Sequence, residues 1–350
     1  MRSKHNRSGS SQAGFTLVEI LVGLAIGMLL TLVILQVMSA FEAQTRSTTG
    51  TADAQTNGGI ALYTIAREMQ MTGYGLLPVT NSPLECTTLT VNGVADTTAP
   101  NRLSPVAITN GATAAGDTIT LRYGNSNMGG VPTQITVIGA PNPNDAAVGT
   151  NLGCQVGDIT LVTNGTTCAM SRVTAVSAAG ITPKLVTLAD TTAAISTANL
   201  ACLGTWNEVT YAVNNGNLVR NGVPSVAGVV SLRAQYGIAD TPNSNQITGW
   251  VGASSAPWSA PSTADRNRIK AVRIAVIARN AKMEMSDVTT ACSSTTAPAP
   301  TGLCAWEGSS VSPAPAINLS IGDANWQRYR YRVFETIIPL RNVIWARSTL

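Results

Sequence analysis

Hydrophobic side chains follow two different patterns along this chain. From Phe15 to Phe41 the residues are apolar, small or neutral, and Glu19 is the only charged one. A helix rises about 1.5 Å per residue, so a helix over residues 15–41 is long enough to cross the roughly 30 Å hydrocarbon core of a bilayer. The pattern predicts a transmembrane helix.

The same helix is predicted to continue past the apolar stretch as an amphipathic segment over residues 42–77. Ile60, Ile65 and Met69 recur at near-helical spacing, and the first proline of the chain is Pro78. One face of this second half is therefore expected to pack on a globular head.

Five glycines interrupt the second half of this helix. Glycine inside a helix costs about 1 kcal/mol relative to alanine, so Gly50, Gly58 and Gly59 are predicted weak points or kinks. Gly73 and Gly75 are expected to end the helix.

Beyond residue 78 short apolar and β-branched runs alternate with Gly, Asn, Pro and Ser, which is typical of strands and turns. The strand-like runs are "GDTITLRYG", "QITVIG", "GDITLVT", "SRVTAV", "KLVTL", "GVVSLRAQYGIAD", "RIKAVRIAVIAR" and "YRVFETIIPLRNVIW". The clearest hairpin is "NEVTYAVNNGNLVRNG", with its turn at residues 214–217. The fold class predicted is α+β, with a long N-terminal helix packed on a large antiparallel β-rich head over residues 78–350.

Two long irregular segments, at about residues 239–268 and 286–325, are rich in Pro, Ser, Thr and Asn. They carry or adjoin Trp250, Trp258, Trp306 and Trp326. Loops of this length are usually functional or mobile. The tryptophans are expected either to contact a partner or ligand or to pack the core.

Charge is scarce, because only 11% of the residues are Asp, Glu, Lys or Arg. The formal net charge of +4 includes Arg2, Lys4 and Arg7, which precede the apolar stretch, and without them it falls to about +1. No basic stripe of the kind that binds a phosphate backbone remains. No nucleic-acid partner is predicted.

The histidine content limits the possible chemistry. His5 is the only histidine, and it also precedes the apolar stretch. A chain processed after it would have no histidine, which excludes His-dependent triads and His-ligated metals. The sequence also has no Gly-Lys-Ser/Thr loop, no Cys-x-x-Cys pair and no clean dinucleotide fingerprint. We therefore expect a protein that is not an enzyme and needs no cofactor or metal.

All six cysteines follow the apolar stretch, without metal-ligand spacing. This favours disulfides in an oxidising compartment over the alternative of buried free thiols. Two pairs are close in sequence and bracket turn-rich segments. The predicted disulfides are Cys154–Cys168, Cys292–Cys304 and, by elimination, Cys86–Cys202.

The stretch "AGFTLVE" lies at the start of the apolar helix. It resembles the type III signal of type IV pilins and pseudopilins, in which prepilin peptidase cleaves after the glycine and methylates the new amino terminus. The resemblance implies a cytoplasmic basic leader over residues 1–14, cleavage between Gly14 and Phe15, and N-methylation of Phe15. The alternative is an ordinary signal anchor that retains its leader, whose basic residues would also keep that end in the cytoplasm.

Glu19 needs an explanation, because an acid at the centre of a membrane helix costs about 2.5–3.5 kcal/mol and less near an interface. In the pilin family the acid at this spacing is thought to pair with the amino terminus of a neighbouring subunit. The resemblance therefore implies a filament-assembly role for Glu19 and a filament-core role for the helix over residues 15–41. A surface acid that reaches the interface is the alternative.

Four later segments resemble the PilW-like minor pilins, a large-headed group related to the J-type pseudopilin of type II secretion. They are "ALYTIAREMQMTGYG", "VTYAVNNGNLVRNG", "VVSLRAQYGIAD" and "YRYRVFETIIPLRN". Residues 80–200 lie outside this resemblance. Asp240, Asn243 and Asn245 offer fewer carboxylates than the acidic loop of the group, so a plain turn is expected there rather than a calcium site.

The resemblance implies a minor type IV pilin that joins a minor-pilin complex, primes pilus assembly and lies at the pilus tip. The implied partners are the inner membrane, prepilin peptidase, other minor pilins, the major pilin and a tip adhesin. The implied location is the inner membrane, in a single pass with the head in the periplasm, and later the pilus at the cell surface. The main alternative is a J-type pseudopilin, and the third candidate is a membrane-anchored periplasmic enzyme or binding protein.

Overall fold

The computed structural model describes residues 14–76, 86–98, 100, 102–190 and 197–345. The basic leader residues Arg2, Lys4 and Arg7, together with His5, lie outside the described residues. The chain divides into two compact units, Met1–Gly50 and Thr51–Leu350. One helix, α1 (Leu17–Met69), begins in the first unit and ends in the second.

The first unit contains the apolar part of α1. The stretch Leu17–Glu42 is long and apolar enough to span a bilayer, and none of it is buried within the protein. Its exposed leucines, isoleucines and valines need an apolar environment from lipid or from other helices.

The last turns of α1 belong to the second unit and are amphipathic. Their buried residues recur every three or four positions, as one face of a helix requires. These residues are Ala54, Gly58, Ala61, Ile65 and Met69. Ile60 is half exposed, so the buried face contains Ala61 rather than Ile60.

α1 ends at Met69, before the predicted stop at Gly73 and Gly75, and these glycines lie in the turn that follows it. Gly73 and Gly75 have φ values of +79° and +90°, a left-handed conformation that glycine adopts without steric cost. The amide of Gly73 donates to the carbonyl of Arg122 at 2.9 Å, so the chain turns directly onto the head.

The glycines inside α1 do not break it, because the helix is continuous through Gly50, Gly58 and Gly59. Gly58 is buried against the head, where a β-carbon would lie 2.2 Å from Cε2 of Phe334. Gly59 has open space around the same position. Gly58 is therefore a point of close packing rather than a weak point.

Within the described residues the second unit contains seventeen strands. They are β1 (Thr88–Val91), β2 (Val94–Ala95), β3 (Val106–Thr109), β4 (Thr118–Tyr123), β5 (Pro132–Ile138), β6 (Asp145–Val148), β7 (Ile159–Thr163), β8 (Thr167–Val176), β9 (Lys184–Leu188), β10 (Asn199–Cys202), β11 (Asn207–Asn214), β12 (Asn217–Arg220), β13 (Val223–Ala227), β14 (Val229–Ile238), β15 (Gly249–Val251), β16 (Ile269–Met283) and β17 (Tyr329–Pro339). Two short helices, α2 (Thr263–Arg266) and α3 (Arg341–Trp345), complete the regular structure. The predicted α+β class is confirmed: a long helix precedes a largely antiparallel β-rich head.

Two antiparallel sheets carry the main core. The five-stranded sheet has the order β13-β12-β11-β4-β3, and the four-stranded sheet has the order β15-β14-β16-β17. The predicted hairpin is confirmed as β11 and β12, which pair Asn214 with Asn217. Asn215 and Gly216 between them have positive φ values of 49° and 72°, as a tight two-residue hairpin turn requires.

A third group of strands closes into a ring. The strand order is β8-β7-β10-β5-β6-β9, and β9 pairs back with β8. Every pairing around this six-stranded ring is antiparallel. A separate apolar cluster, which includes Ile135, Val162, Val186 and Leu200, draws its residues from these strands. Side chains thus fill the interior of a small barrel.

This barrel is an insertion between two neighbouring strands of the five-stranded sheet. β4 pairs with β11, and Tyr123 at the end of β4 lies opposite Asn207 at the start of β11. The described residues between them, 124–190 and 197–206, contain the barrel strands β5 to β10. β1 adds to it from outside by a parallel pairing with β8.

The two long irregular segments contain little regular structure, as predicted. β15 and α2 lie in the first, and a short 3-10 turn, Leu319–Ile321, lies in the second. Trp258 joins the main core, and Trp306 joins a smaller core with Leu303 and Ala314. These two tryptophans therefore pack the interior.

The structure confirms one predicted disulfide and corrects the other two. Cys292–Cys304 is present, but the predicted Cys154–Cys168 and Cys86–Cys202 are wrong. The pairs are instead Cys86–Cys168 and Cys154–Cys202.

The alternation of side chains along strands explains the correction. Cys168 on β8 points into the main core, where Cys86 also lies. Cys202 on β10 points into the barrel interior, against which Cys154 packs. Each cysteine of the barrel therefore pairs with the cysteine on its own side, and proximity in sequence does not decide the pairing.

Glu68, in the last turn of α1, binds three adjacent strands of the five-stranded sheet. Its Oε1 accepts hydrogen bonds from the hydroxyl of Tyr123 on β4 at 2.8 Å and from Nη2 of Arg220 on β12 at 2.6 Å. Its Oε2 accepts from Nε of Arg220 at 3.1 Å and from the hydroxyl of Tyr211 on β11. The carboxylate thus fixes the end of the helix to the sheet.

The environment of Glu68 favours its charged form. Burial alone would raise the pKa of Glu68, but the hydrogen bonds from Arg220, Tyr211 and Tyr123 together hold it below its ordinary value. Burial and the neighbouring Glu68 carboxylate raise the pKa of Tyr123 to about 12, so this phenol remains a donor at neutral pH.

Substituting the two adjacent helical glycines should give opposite results. Gly58→Ala places a methyl group against the ring of Phe334 and should destabilise the protein by about 1–3 kcal/mol. Gly59→Ala has room and gains helix propensity, so it should be neutral or stabilising by up to about 1 kcal/mol. Urea unfolding of the two full-length variants checks this. Equal unfolding midpoints would contradict the close packing at Gly58.

Replacing Glu68 should change how stability depends on pH. A lowered folded-state pKa contributes stability above the ordinary value of 4.5, and this contribution is lost as the pH falls through the folded-state pKa. Glu68→Gln should therefore cost about 1–3 kcal/mol at neutral pH, and this difference should shrink at about pH 3. Urea unfolding at the two pH values measures it.

The matched control for Glu68 is Glu335→Gln. Glu335 pairs with Arg273 at 3.0 Å, but its side chain is 47% exposed, so its loss should cost at most about 1 kcal/mol. A Glu68→Gln variant as stable as this control at neutral pH would show that the carboxylate does not hold the helix.

Candidate functional site

The candidate site is the N-terminal segment Gly14–Glu19, at the start of α1. Gly14, Phe15 and Thr16 precede the helix, which begins at Leu17. The carbonyl of Thr16 accepts a hydrogen bond from the amide of Ile20 at 3.2 Å. Thr16 is therefore the N-cap residue of the helix.

Thr16 and Glu19 cap the helix reciprocally. The hydroxyl of Thr16 accepts from the amide of Glu19 at 3.3 Å. Oε2 of Glu19 accepts from the amide of Thr16 at 3.4 Å and from its hydroxyl at 3.3 Å. This is a capping box, in which two otherwise unpaired amides at a helix start are satisfied by side chains.

The capping box gives Glu19 a role within its own chain. Only Oε2 takes part, and within the described residues Oε1 has no hydrogen-bond partner. Phe15, Leu17 and Val18 around it are 80%, 75% and 67% exposed. The segment thus presents a fixed acid with one free oxygen among exposed apolar side chains.

The predicted cleavage residues, Gly14 and Phe15, directly precede Thr16 of the capping box. A β-carbon on Gly14 would meet nothing within 4 Å, so the structure itself does not require glycine there. The expected need for glycine at this position would therefore come from the enzyme that processes the chain.

Three residues of this segment, Gly14, Phe15 and Glu19, are predicted site residues. The structure places Gly14, Phe15 and Glu19 together at the helix start, as expected. It adds Thr16, which the sequence analysis did not single out. The signal was present, because Thr-x-x-Glu before an apolar run is the pattern of a capping box.

Two family models match the chain. Residues 9–35 match the prokaryotic N-terminal methylation motif, and residues 191–342 match the Type IV Pilus-assembly protein W family. The chain is PilW-like over residues 191–342. The second match covers β10 to β17 and leaves out most of the barrel, which agrees with the absence of any resemblance over residues 80–200.

Comparison with solved structures gives a remote likeness. A type IV-like pilin from Thermus thermophilus matches 83% of this PilW-like chain and 96% of its own length, with 11% sequence identity and a TM-score of 0.31. The fold described above does not depend on a likeness this weak. No curated protein matches the chain.

The loop after Tyr236 is held by hydrogen bonds within the protein. Asp240 accepts a hydrogen bond from the hydroxyl of Thr248 at 2.7 Å. The buried ammonium of Lys270 donates to the carbonyl of Pro242 at 2.9 Å. A protein cation thus already binds this loop of the PilW-like head. Among the described residues no cluster of three or more His, Cys, Asp or Glu side chains could hold a metal.

Processing of the N-terminus can be tested without disturbing the fold. Gly14→Ala and Gly23→Ala both add a methyl group in open space. Gly14→Ala should abolish most cleavage, whereas Gly23→Ala should be processed normally. Intact-protein mass spectrometry should find mature wild-type chains that begin with methylated Phe15. Efficient cleavage of Gly14→Ala, or a wild-type chain that keeps its leader, would contradict the assignment.

Proposed function

We propose that this PilW-like chain is a minor type IV pilin. After cleavage and N-methylation at Phe15 it joins other minor pilins in a complex that primes pilus assembly and lies at the pilus tip. The observation that carries the proposal is the methylation motif, continued without a break into a bilayer-length helix that is exposed throughout. Such a helix needs first a membrane and then neighbouring helices.

The proposed route begins in the inner membrane. The basic leader, outside the described residues, favours a cytoplasmic N-terminus and a periplasmic head. Prepilin peptidase then removes the leader, and the major pilin, other minor pilins and a tip adhesin become the partners. Disulfides in the head suit the oxidising periplasm.

Glu19 is the proposed alignment residue during assembly. Cleavage before Phe15 creates a free amine. Oε1 of Glu19, which has no hydrogen bond to the described residues of its own chain, is a suitable acceptor for this amine on a neighbouring subunit. A charge pair in an apolar environment is far more favourable than either charge alone. The capping box would hold the carboxylate ready for this contact.

A role at the tip suits the size of the head. The second unit, Thr51–Leu350, contains two sheets and an added barrel. A head of this size would crowd a shaft in which every subunit packs against identical neighbours. Crowding is avoided when only one or a few copies are present, at the end where assembly begins.

The test is deletion of the gene, complemented with wild type, Glu19→Ala or Gly23→Ala. We expect deletion to remove surface pili and twitching while exoprotein secretion stays normal. Wild type and Gly23→Ala should restore pili. Glu19→Ala should be inserted and cleaved but should restore pili poorly. Normal pili with Glu19→Ala would refute the alignment role.

The same strains separate this proposal from the main alternative, a J-type pseudopilin of a type II secretion system. Both classes share the cleavage motif and the apolar helix. Loss of exoprotein secretion with normal pili would refute the pilus role and favour the pseudopilin.

A further inference from the structure

β17 forms one edge of the four-stranded sheet, and among the described strands it pairs only with β16. It has 11 residues, and its register with β16 is unbroken from Tyr331 to Pro339. The edge of a sheet presents unpaired N–H and C=O groups, which natural proteins usually keep short, bend or cover. An edge strand this long and regular therefore calls for an explanation.

The other open sheet edges in the described part of the chain are protected. β2, β3 and β15 have only two, four and three residues. β13 contains Pro224, and its register with β12 shifts between Leu218 and Val219. β17 is longer than any of these strands, and its one proline, Pro339, is its last residue.

The hydrogen bonding at the end of β17 shows which backbone groups face outward. The amide of Leu340 donates to the carbonyl of Lys270 at 2.8 Å. In an antiparallel pair, residues that bond to the partner strand alternate with residues whose backbone groups point away from it. Even-numbered residues of β17 therefore bond to β16. Within the described residues no other element bonds to the outward-facing groups, which belong to Tyr331, Val333, Glu335 and Ile337.

This free edge, residues 331–337, is closed at both ends and held on both faces. The hydroxyl of Thr289 donates to the carbonyl of Tyr329 at 2.6 Å before it, and Pro339 after it has no N–H. Phe334 lies against α1 on one face of the sheet, and Val333 packs on the smaller core on the other. The free edge is therefore preorganised, which lowers the entropy cost of binding.

The side chains along the free edge indicate what can pair with it. Glu335 is already paired with Arg273 at 3.0 Å. Arg332 is exposed, and within the described residues its guanidinium has no hydrogen-bond or ion-pair partner. Ile337 is 50% exposed. The free edge thus presents one uncompensated positive charge on one face of the sheet and one apolar side chain on the other.

We propose that the free edge binds an extended segment of a different protein by β-strand addition. The main chain of such a segment satisfies the outward-facing N–H and C=O groups, and its alternate side chains give specificity. An acid opposite Arg332 and an apolar residue opposite Ile337 complement the two exposed side chains. This contact lies on the head, so it goes beyond the role proposed above for the N-terminal helix.

A second copy of β17 fits the free edge less well. In an antiparallel pair of identical strands related by a two-fold axis, opposite residues lie on the same face of the sheet. Arg332 and Glu335 are three positions apart and lie on opposite faces. A second copy therefore cannot place Glu335 opposite Arg332, and the charge of Arg332 favours a segment from another chain.

Binding can be measured on the full-length mature protein in detergent with a synthetic peptide, by fluorescence anisotropy. The probe is acetyl-Thr-Thr-Val-Thr-Thr-Val-Val-Glu-Thr-amide, whose first residue lies opposite Pro339 in antiparallel register. Its third residue, valine, then lies opposite Ile337, and its glutamate lies opposite Arg332. A second peptide has lysine in place of glutamate, and a third copies residues 329–339 to test self-pairing.

Two N-methylated forms of the probe test the main-chain contact. N-methyl groups on residues five and seven of the peptide block amides that would donate to β17. N-methyl groups on residues four and six block amides that point away from it, so this form is the matched control. The protein variants are Arg332→Glu and, as a control, Arg172→Glu, which changes an exposed arginine on the barrel strand β8. Circular dichroism confirms that each variant is folded.

We expect saturable binding of the glutamate peptide. Its affinity should fall at least about tenfold when residues five and seven are N-methylated and stay similar when residues four and six are. Wild type and Arg172→Glu should prefer the glutamate peptide about two- to fivefold over the lysine peptide, and Arg332→Glu should reverse this preference.

Three results would overturn the proposal. They are no saturable binding of the glutamate peptide, equal loss of affinity with both N-methylated forms, or tightest binding of the peptide that copies β17. These measurements use purified protein and no filament, so their failure is distinct from a failure of the assembly role.

Discussion

One carboxylate, that of Glu68, fixes the end of the long helix α1 to the head. Glu68 sits at the end of α1 and accepts hydrogen bonds from Tyr123, Tyr211 and Arg220, which belong to three consecutive strands of one sheet. Breaking a network of this kind leaves a partly buried charge without its partners, which destabilises the folded protein. The carboxylate therefore fixes the position of the end of α1 on this sheet. More than two turns earlier in α1, Gly58 lets the helix approach Phe334, which lies on a different sheet.

At the start of α1 another carboxylate also accepts hydrogen bonds, but it lies among exposed residues and not against a sheet. There a single acid, Glu19, closes a capping box with Thr16 among exposed apolar residues. In water such a cap contributes about 1 kcal/mol, but away from water an unsatisfied amide costs several kcal/mol. The capping box thus explains why a carboxylate is tolerated near the start of an apolar helix, even before any second subunit is considered.

Local patterns in the sequence were sufficient for the helix, the hairpin and the long strands. "TYAVNNGNLV" contains both the alternation and the turn residues, so β11 and β12 could be predicted directly. β6 and β10 were missed because Asp145–Val148 and Asn199–Cys202 are short, alanine-containing runs without clear alternation. These strands form because they pair with strands that are distant in the sequence. Two of the three predicted disulfides were wrong for the same reason, since the face on which Cys168 or Cys202 lies depends on the register of the barrel.

The residues of the candidate site also differ from those of the head in how far the sequence alone could predict them. Gly14, Phe15 and Glu19 lie within six consecutive positions, so their pattern is visible without a structure. By contrast, the partners of Glu68 are Tyr123, Tyr211 and Arg220, which only the folded sheet brings together. No window along the sequence contains that network.

The position of the barrel has a consequence for how this head could diversify. Its two connections leave and re-enter at paired residues, Tyr123 and Asn207, so the ends of the insertion are one strand apart. The inner face of the barrel is not separable, because Leu161, Cys168 and Met170 belong to the main core and Cys168 forms a disulfide with Cys86. Natural selection can therefore vary the strands and loops that do not contact the main core, whereas the face that packs on it is constrained together with the sheets.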